Sequence, residues 1–386
     1  MKKSLLLAGI FAAFAVFAND VLEKQVFSLL KQAHKLSPQG NVVLSPVSLL
    51  ECFGTVSCGA GNTSAAELSQ VLGLDYSGRK ALQMAVKSLK ASTVDFFSGN
   101  TAIFSNKITL DKEFVNKAAY FFNTKLFQAD FTKHVQCREL LNSIAKEQSR
   151  GLFNDVFQDY DFTGNPLMIL VNIMYYKGTW KSQFDACNTQ KQLFYPEDGV
   201  SYQVKMMLDN KQVPYYNDGK IHGVVLDYAD GIMRMLCLTP LEKSAPVSTV
   251  LETLCEKGIN SIVDQASSQY ETVIQLPVLD IAADNDLIPL LRSAGLKNVF
   301  DPEDSDLNKI ALHRTLFISS ARQLVKLKMN ESGTETAAVT KIVAVESAPS
   351  AVQEKLNNFT ANHPFVVILF DRKSNCMLLS AIVNTP

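Results

Sequence analysis

Charge is scarce in this sequence, and so are the residue patterns that usually announce chemistry. Only 19% of its 386 residues are Asp, Glu, Lys or Arg, below the roughly 25% of an average soluble domain. The 37 basic and 38 acidic residues nearly cancel, to a formal charge of −1. That balance excludes a protein that holds nucleic acid mainly through its phosphates. With 47% hydrophobic residues the chain can bury a large core, which excludes disorder. Seven cysteines are too few for a disulfide scaffold, and their odd number leaves at least one free or bonded to another chain. Neither their spacing nor the five scattered histidines fit a zinc site, so no metal is expected. There is no G-x-S-x-G elbow, no H-E-x-x-H and no Walker loop. Gly59-Ala60-Gly61 lacks the third glycine of a dinucleotide fingerprint and follows a helical pattern, so it reads as a helix stop. An enzyme, or a cofactor, is therefore not expected. No Pro/Gly/Ser-rich linker and no internal repeat divides the chain.

What is present begins with a targeting signal. Lys2 and Lys3 precede an apolar run from Ser4 to Phe17, and Val16-Phe17-Ala18 suits signal-peptidase cleavage. Residues 1–18 thus read as a secretory signal and residues 19–386 as one exported domain. No later stretch reaches the roughly 18 apolar residues of a membrane span. Residues 20–90 read as helices. Ser45-Pro46 opens one with Leu49, Leu50 and Phe53 at helical spacing. Gly59 and Gly61 close it, and Ser64 with Glu67 suggests a capping box for the next. Cys52 and Cys58, six apart on that helix, face away from each other and should not pair. If residues 78–90 are helical, Arg79, Lys80, Lys87 and Lys90 fall within one arc of roughly 100°, beside a core stripe of Leu82, Val86 and Leu89. That face suits either plain solvent or a heparin-like polyanion.

From residue 101 strands alternate with helices: Thr101–Phe104 and Ile108–Leu110, a helix near Lys112–Phe122, then Met168–Tyr176, apolar on both faces like a central strand. After residue 195 strands dominate, including Gln203–Met207, Ile221–Asp227, Met233–Leu238, Thr272–Leu276, Leu316–Ile318, Leu324–Met329, Val366–Phe370 and Met377–Val383. The order implies a mixed α/β domain.

Between two of those strands, residues 330–364 form a stretch longer than compact domains usually leave without structure. Its first half is written as a strand. Thr334, Thr336, Ala338, Thr340, Ile342 and Ala344 would share one small, apolar face, and Glu335 and Lys341 fall on the other. Gly333, just before it, offers a backbone joint.

Here a resemblance becomes specific. Glu331-Ser332-Gly333-Thr334-Glu335-Thr336-Ala337-Ala338-Val339-Thr340 resembles the proximal hinge of a serpin reactive loop. Phe359-Thr360-Ala361-Asn362-His363-Pro364-Phe365 resembles the family signature beyond that loop, and Asn41-Val42-Val43-Leu44-Ser45-Pro46-Val47-Ser48 resembles the start of its second helix. Leu170-Val171-Asn172, Tyr176-Lys177-Gly178 and Trp180 are similar to the third strand of its main sheet and the turn after it. The four motifs lie in family order, so the sequence is identified as a member of the serpins.

The resemblance implies three β-sheets, eight or nine helices and an exposed reactive-centre loop at about residues 331–358. It implies a monomeric, secreted inhibitor of serine proteases whose loop is cleaved and inserts into the main sheet. Ser45, Ser48, Asn172 and Gln323 would form the shutter and Trp180 the breach. Gln323 stands where the family usually has histidine; it can hydrogen-bond but not titrate. Counting fourteen residues on from Gly333 puts the scissile bond at Ser347-Ala348, whereas counting back from Pro364 reaches Gln353. The small residues around Ser347, with no arginine, imply an elastase-like and not a trypsin-like target. A non-inhibitory carrier, storage or regulatory serpin is the alternative. Asn62, Asn330 and Asn358 begin glycosylation sequons; Asn62 and Asn358 are expected to carry glycan, Asn330 not.

Overall fold

A computed structural model describes residues 22–92, 96–164, 166–197, 199–311, 316–334, 356–374 and 376–386. The proposed signal, residues 1–18, lies outside them. Among the described residues eight helices form: α1 (22–36), α2 (Pro46–Ser57), α3 (Asn62–Leu72), α4 (Tyr76–Ser92), α5 (Lys112–Phe122), α6 (His134–Gln148), α7 (Ser248–Gln265) and α8 (Leu287–Ser293). Gly258, at φ +72°, breaks α7 in two, so eight and nine are counts of the same helices. None of them is long and apolar enough to cross a membrane.

Pro46 opens α2 as expected, in the first turn where its missing N–H costs nothing. All twelve residues of α2 are buried, as befits a helix apolar on every side. The box at Ser64 and Glu67 does not form. Gly61, in extended conformation, precedes α3, which places both residues inside the helix. Ser64 Oγ accepts instead from Asp306 N (2.9 Å), and Glu67 Oε2 from the amides of Lys297 and Asn298 (2.9 and 2.8 Å). The two side chains tether a distant segment. The strand-dominated reading after residue 195 missed α7, whose helical period Gly258 interrupts.

Among the described residues the strands make sheets of seven, six and four. The seven-stranded sheet contains β1 (Phe96–Ser105), β2 (Lys125–Ala129), β3 (Met168–Tyr176), β4 (Gly178–Thr179), β5 (Leu279–Asp286), β6 (Ser320–Asn330) and β7 (Gly333–Thr334). Its order is β2-β1-β3-β6-β7-β4, with β5 on β6 as well. Two expected strands are absent. Ile108–Leu110 keeps a single bridge, Leu110 to Ala311, and Leu316–Ile318 runs as coil into β6. An apolar stretch without a ladder partner is not a strand.

All nine residues of β3 are buried. Met168, Leu170, Met174 and Tyr176 face the main core beneath the sheet, which includes α2. Ile169, Val171 and Ile173 face a smaller core with Leu141 of α6, Phe157 and Phe162. The alternation is the two-residue period of a strand covered on both sides.

Candidate functional site

At the middle of the large sheet β3 and β6 run parallel, in register from Ser320↔Ile169 to Val325↔Met174. Above that level they part. The chain of β3 continues through Lys177 into β4, β6 runs on to Asn330, and β7 lies between, antiparallel to both. The sheet therefore holds a seam, closed in the middle and wedged open at the top. Parallel pairing is slightly the weaker kind per residue, so a strand continuing downward from β7 would replace one parallel pair by two antiparallel ones.

The wedge is built from the expected hinge and breach residues. Asn330 Oδ1 accepts from Ser332 N (3.0 Å) and Gly333 N (3.2 Å), turning the chain back on itself. Gly333 sits at φ +148°, and a Cβ there would lie 2.0 Å from Gly178 O. Only glycine fits so close to the neighbouring backbone. Trp180 holds the turn from the side: its indole N–H donates to Asn330 O (2.9 Å) and its backbone N–H to Ser332 O (2.9 Å). Glu331 accepts at Oε1 from Thr189 Oγ1 (2.7 Å) and at its carbonyl from Phe184 N (2.9 Å). Thr334 is 3% exposed, and its hydroxyl meets the Tyr228 hydroxyl at 2.6 Å. Tyr228 stacks on Trp180 with ring centroids 4.5 Å apart, and burial holds its phenol well above the usual range, so it stays neutral.

Lower down the seam is closed by amides. Gln323 pairs with Asn172, Asn172 with Asn100 on β1, and Gln323 with Asn285 on β5, a row across four strands at one level. Gln323 Nε2 donates to Asn172 Oδ1 (2.9 Å) and Ser45 O (2.9 Å), while its Oε1 accepts from Ser45 N (3.0 Å). Asn172 Oδ1 also accepts from Ser48 Oγ (2.5 Å), and its Nδ2 donates to Ser48 O (3.1 Å) and Asn100 Oδ1 (2.6 Å). Asn285 reaches Val43 O (2.8 Å). Ser45, Ser48, Asn172 and Gln323 are fully buried. The expected shutter residues do come together, with one change of role: Ser45 serves through its backbone, its hydroxyl making no hydrogen bond.

On the opposite face of β6, Arg322 bridges Asp161 and Asp284, donates to Val156 O, and lies over the Phe157 ring. It fastens the segment after α6 across the sheet, directly above the seam. Of the four cations expected on α4, two serve the fold. Arg79 donates to Ser57 O and Leu74 O (3.3 and 3.2 Å) and Lys90 pairs with Glu51 (3.3 Å). Lys80 and Lys87 are exposed.

Thr336, Ala337, Ala338, Val339, Thr340 and the bond Ser347-Ala348 lie outside the described residues. The chain is described again from Leu356, where Asn357–Thr360 pairs in parallel with Thr272–Pro277. His222 packs on Phe359 (5.3 Å), and His363 Nε2 contacts Thr239 Oγ1 and Pro240 O (both 2.9 Å). Burial pushes His222 down to about 4, helped by His363, and lowers His363 as well. Asn62 and Asn358 are exposed. All seven cysteines are free, Cys52 and Cys58 among them.

Asn100, Asn285, Tyr228, Arg322 and Glu51 were not read from the sequence. Glu51 alone left a signal, as the single charge in an otherwise uncharged helix.

Known proteins share this architecture. A family model described as Serpin (serine protease inhibitor) matches residues 21–386. Glia-derived nexin of Rattus norvegicus is 26% identical over 94% of this chain and 91% of its own length. Neuroserpin of Homo sapiens is 25% identical over 99% of this chain and 95% of its own. Among solved structures, native protease nexin-1 with heparin aligns with a TM-score of 0.83 and 23% identity, over 96% of this chain and 100% of that one. A thyroxine-binding globulin complex with thyroxine aligns with a TM-score of 0.83 and 21% identity, over 95% and 99%. With that family model matching nearly the whole chain, and described as one of inhibitors and not of enzymes, the protein belongs to the serpin (serine protease inhibitor) family.

Proposed function

We propose that this serpin is a secreted suicide-substrate inhibitor of a serine-type endopeptidase that prefers small residues. A protease cleaves the loop at Ser347-Ala348, the hinge side enters the seam, and the acyl-bound protease is carried away before the ester hydrolyses. Insertion of a serpin loop is itself a recognised case of strand addition. The observation that carries the reading is the position of Gly333 and Thr334, already paired to β6 on one side and β4 on the other. Both registers extrapolate to the same place. Six residues past Thr334 is Thr340; six below Met329 is Gln323, and six below Gly178 is Asn172, themselves partners. A loop strand in this register fits both walls of the seam without a bulge. The parallel β3–β6 register ends at Ser320↔Ile169, which Val343 would meet. Four more residues lead to Ser347, which supports the count from Gly333. Thr334 to Ser347, at about 3.3 Å per residue, spans about 46 Å.

Mixing the protein with an elastase-like protease should give a complex stable in SDS and release a peptide that begins at Ala348. A released peptide beginning at Glu354 would refute the register. The relative solved with thyroxine keeps a carrier role in view. A carrier would be nicked without forming the complex.

The leader at residues 1–18 and exposed sequons at Asn62 and Asn358 fit an exported, monomeric glycoprotein; the Asn330 carboxamide is occupied by the hinge turn. Glycopeptide mapping that finds Asn330 fully modified would contradict this. A relative has been solved with heparin, and α4 offers Lys80 and Lys87 to such a polyanion. Elution from immobilised heparin at the salt typical of an acidic protein would remove that partner.

A further inference from the structure

The amide row has an end away from Gln323. Asn100, two residues from Ser98 on the same face of β1, turns its side chain toward the carboxylate of Glu51 and favours its charged form, and Glu51 is 1% exposed. Ser98 Oγ donates to Glu51 Oε2 at 2.5 Å, and Lys90 Nζ, from α4, reaches Oε1 at 3.3 Å. A buried carboxylate inside an apolar helix is expensive, and replacing such a charge by apolar packing is often harmless to stability. Its presence calls for a reason other than stability.

The direction of the hydrogen bonds supplies one. An ionised carboxylate only accepts, and an amide has one accepting and one donating end. Glu51 therefore turns the Asn100 nitrogen toward itself and the Asn100 oxygen toward Asn172. Asn172 then gives its nitrogen to Asn100 and its oxygen to Gln323 and Ser48. At the other end the Ser45 backbone dictates the orientation of Gln323 independently. The two ends agree, and Asn172 and Gln323 are hydrogen-bonded at both the oxygen and the nitrogen of their amides. A protonated Glu51 could donate to Asn100 instead and turn it round, setting its NH2 against that of Asn172.

We propose that Glu51 is a positioning residue: its carboxylate, paired with Lys90, fixes the donor–acceptor direction of the Asn100–Asn172–Gln323 row and so holds the β3–β6 seam in one closed arrangement. The functional weight of that closure rests on the reading of the seam as the entrance for the loop. The groups that face Glu51 are Lys90 from α4, Ser98 and Asn100 from β1, Cys52 on α2 itself, and Cys376 before the strand Met377–Val383. Burial pushes Cys52 up to about 12 and Cys376 further, so neither thiol ionises near neutrality. Burial raises Glu51 above its usual value and Lys90 opposes the rise.

The test is hydrogen exchange of the β3 and β6 amides in the uncleaved protein, read by mass spectrometry from about pH 8 to about pH 4 and corrected for intrinsic rates. The wild type should be well protected at neutral pH and lose protection in one step, roughly three- to tenfold, the worth of about one buried hydrogen bond. Glu51→Gln should remove the step. Lys90→Met, a change on an exposed helix face, should move the step to higher pH, because an unpaired buried carboxylate takes up its proton sooner. An unaltered step in Glu51→Gln, or an unmoved one in Lys90→Met, overturns the proposal. A cleaved loop that leaves the unfolding temperature unchanged would sink the reading of the seam as an entrance, and would do so without altering these exchange profiles.

Discussion

At the top of the seam Thr334 already stands between Met329 and Gly178, whereas six residues lower Gln323 and Asn172 pair directly. The same two strands form both levels, yet the bonds differ in kind. At the top, Trp180, Tyr228 and the Asn330 carboxamide hold the hinge to a fixed rim. None of those bonds has to break for the chain to continue downward. In the middle, each bond between Gln323 and Asn172 must be exchanged for one to the incoming strand. If the loop enters as proposed, the top would set the direction of entry and the middle its barrier.

The largest effect should come from blocking the top. Thr334→Arg would force a guanidinium into the site where a threonine hydroxyl meets Tyr228. Burying an unpaired charge costs several kcal/mol. The loop should still be cleaved, but the yield of SDS-stable complex should fall at least tenfold on a gel. Undiminished complex would mean that the strand enters elsewhere.

Loosening the middle should act in the opposite sense. Gln323→Leu leaves the buried Ser45 N–H without its acceptor, at a cost of about 1–3 kcal/mol. The uncleaved protein should unfold at lower temperature and convert faster to an inactive, heat-resistant form. Gln323→His should restore part of the closure and add a pH dependence that the glutamine lacks. Burial lowers the folded-state pKa of a histidine below its unfolded value of about 6.5, so the variant should keep its stability above that pH and lose it below. A pH profile of the urea midpoint in Gln323→His no steeper than that of the wild type would contradict a desolvated site.

The far end of the loop makes a third level of the comparison. His222 is held neutral by burial, its value down at about 4. The unfolded chain binds the proton more readily, so stability should be constant above about pH 6.5 and fall between there and pH 4, by roughly 2–3 kcal/mol. His222→Gln should flatten that fall in denaturant titrations across this range. An unchanged slope would assign the loss to other groups.

How much of this was legible follows from how each feature is encoded. β3 and α5 were read to the residue, because a nine-residue apolar run and a capped amphipathic helix are local patterns. The hinge, the breach tryptophan and the shutter were read through their resemblance to a family. The row that joins them was not, since Asn100, Asn172, Gln323 and Asn285 meet only through strand register. Ser64 and Glu67 show the reverse case, a sound local signal that tertiary contacts with residues 297–306 redirected. Arg322 gave no local signal at all, because its partners Asp161 and Asp284 arrive from remote segments.

The same register makes one last and smaller prediction on the outer face of the seam. Seven residues past Thr334 is Lys341, and seven below Met329 is Arg322. If the loop enters as proposed, the two cations would stand side by side facing the smaller core, where Asp161 and Asp284 already serve Arg322. Like charges directly opposite in antiparallel strands are unfavourable by about 0.2–1 kcal/mol. Lys341→Ala should therefore speed insertion about two- to fivefold, seen as a lower ratio of cleaved inhibitor to complex at equal protease. Asp161→Asn should act against insertion by leaving the pair with one carboxylate fewer, unless loosening the segment after α6 outweighs the lost charge. The sign of the double variant decides between these. If Lys341→Ala cancels the effect of Asp161→Asn, the two side chains interact in the inserted state, and the register holds to seven residues below the hinge.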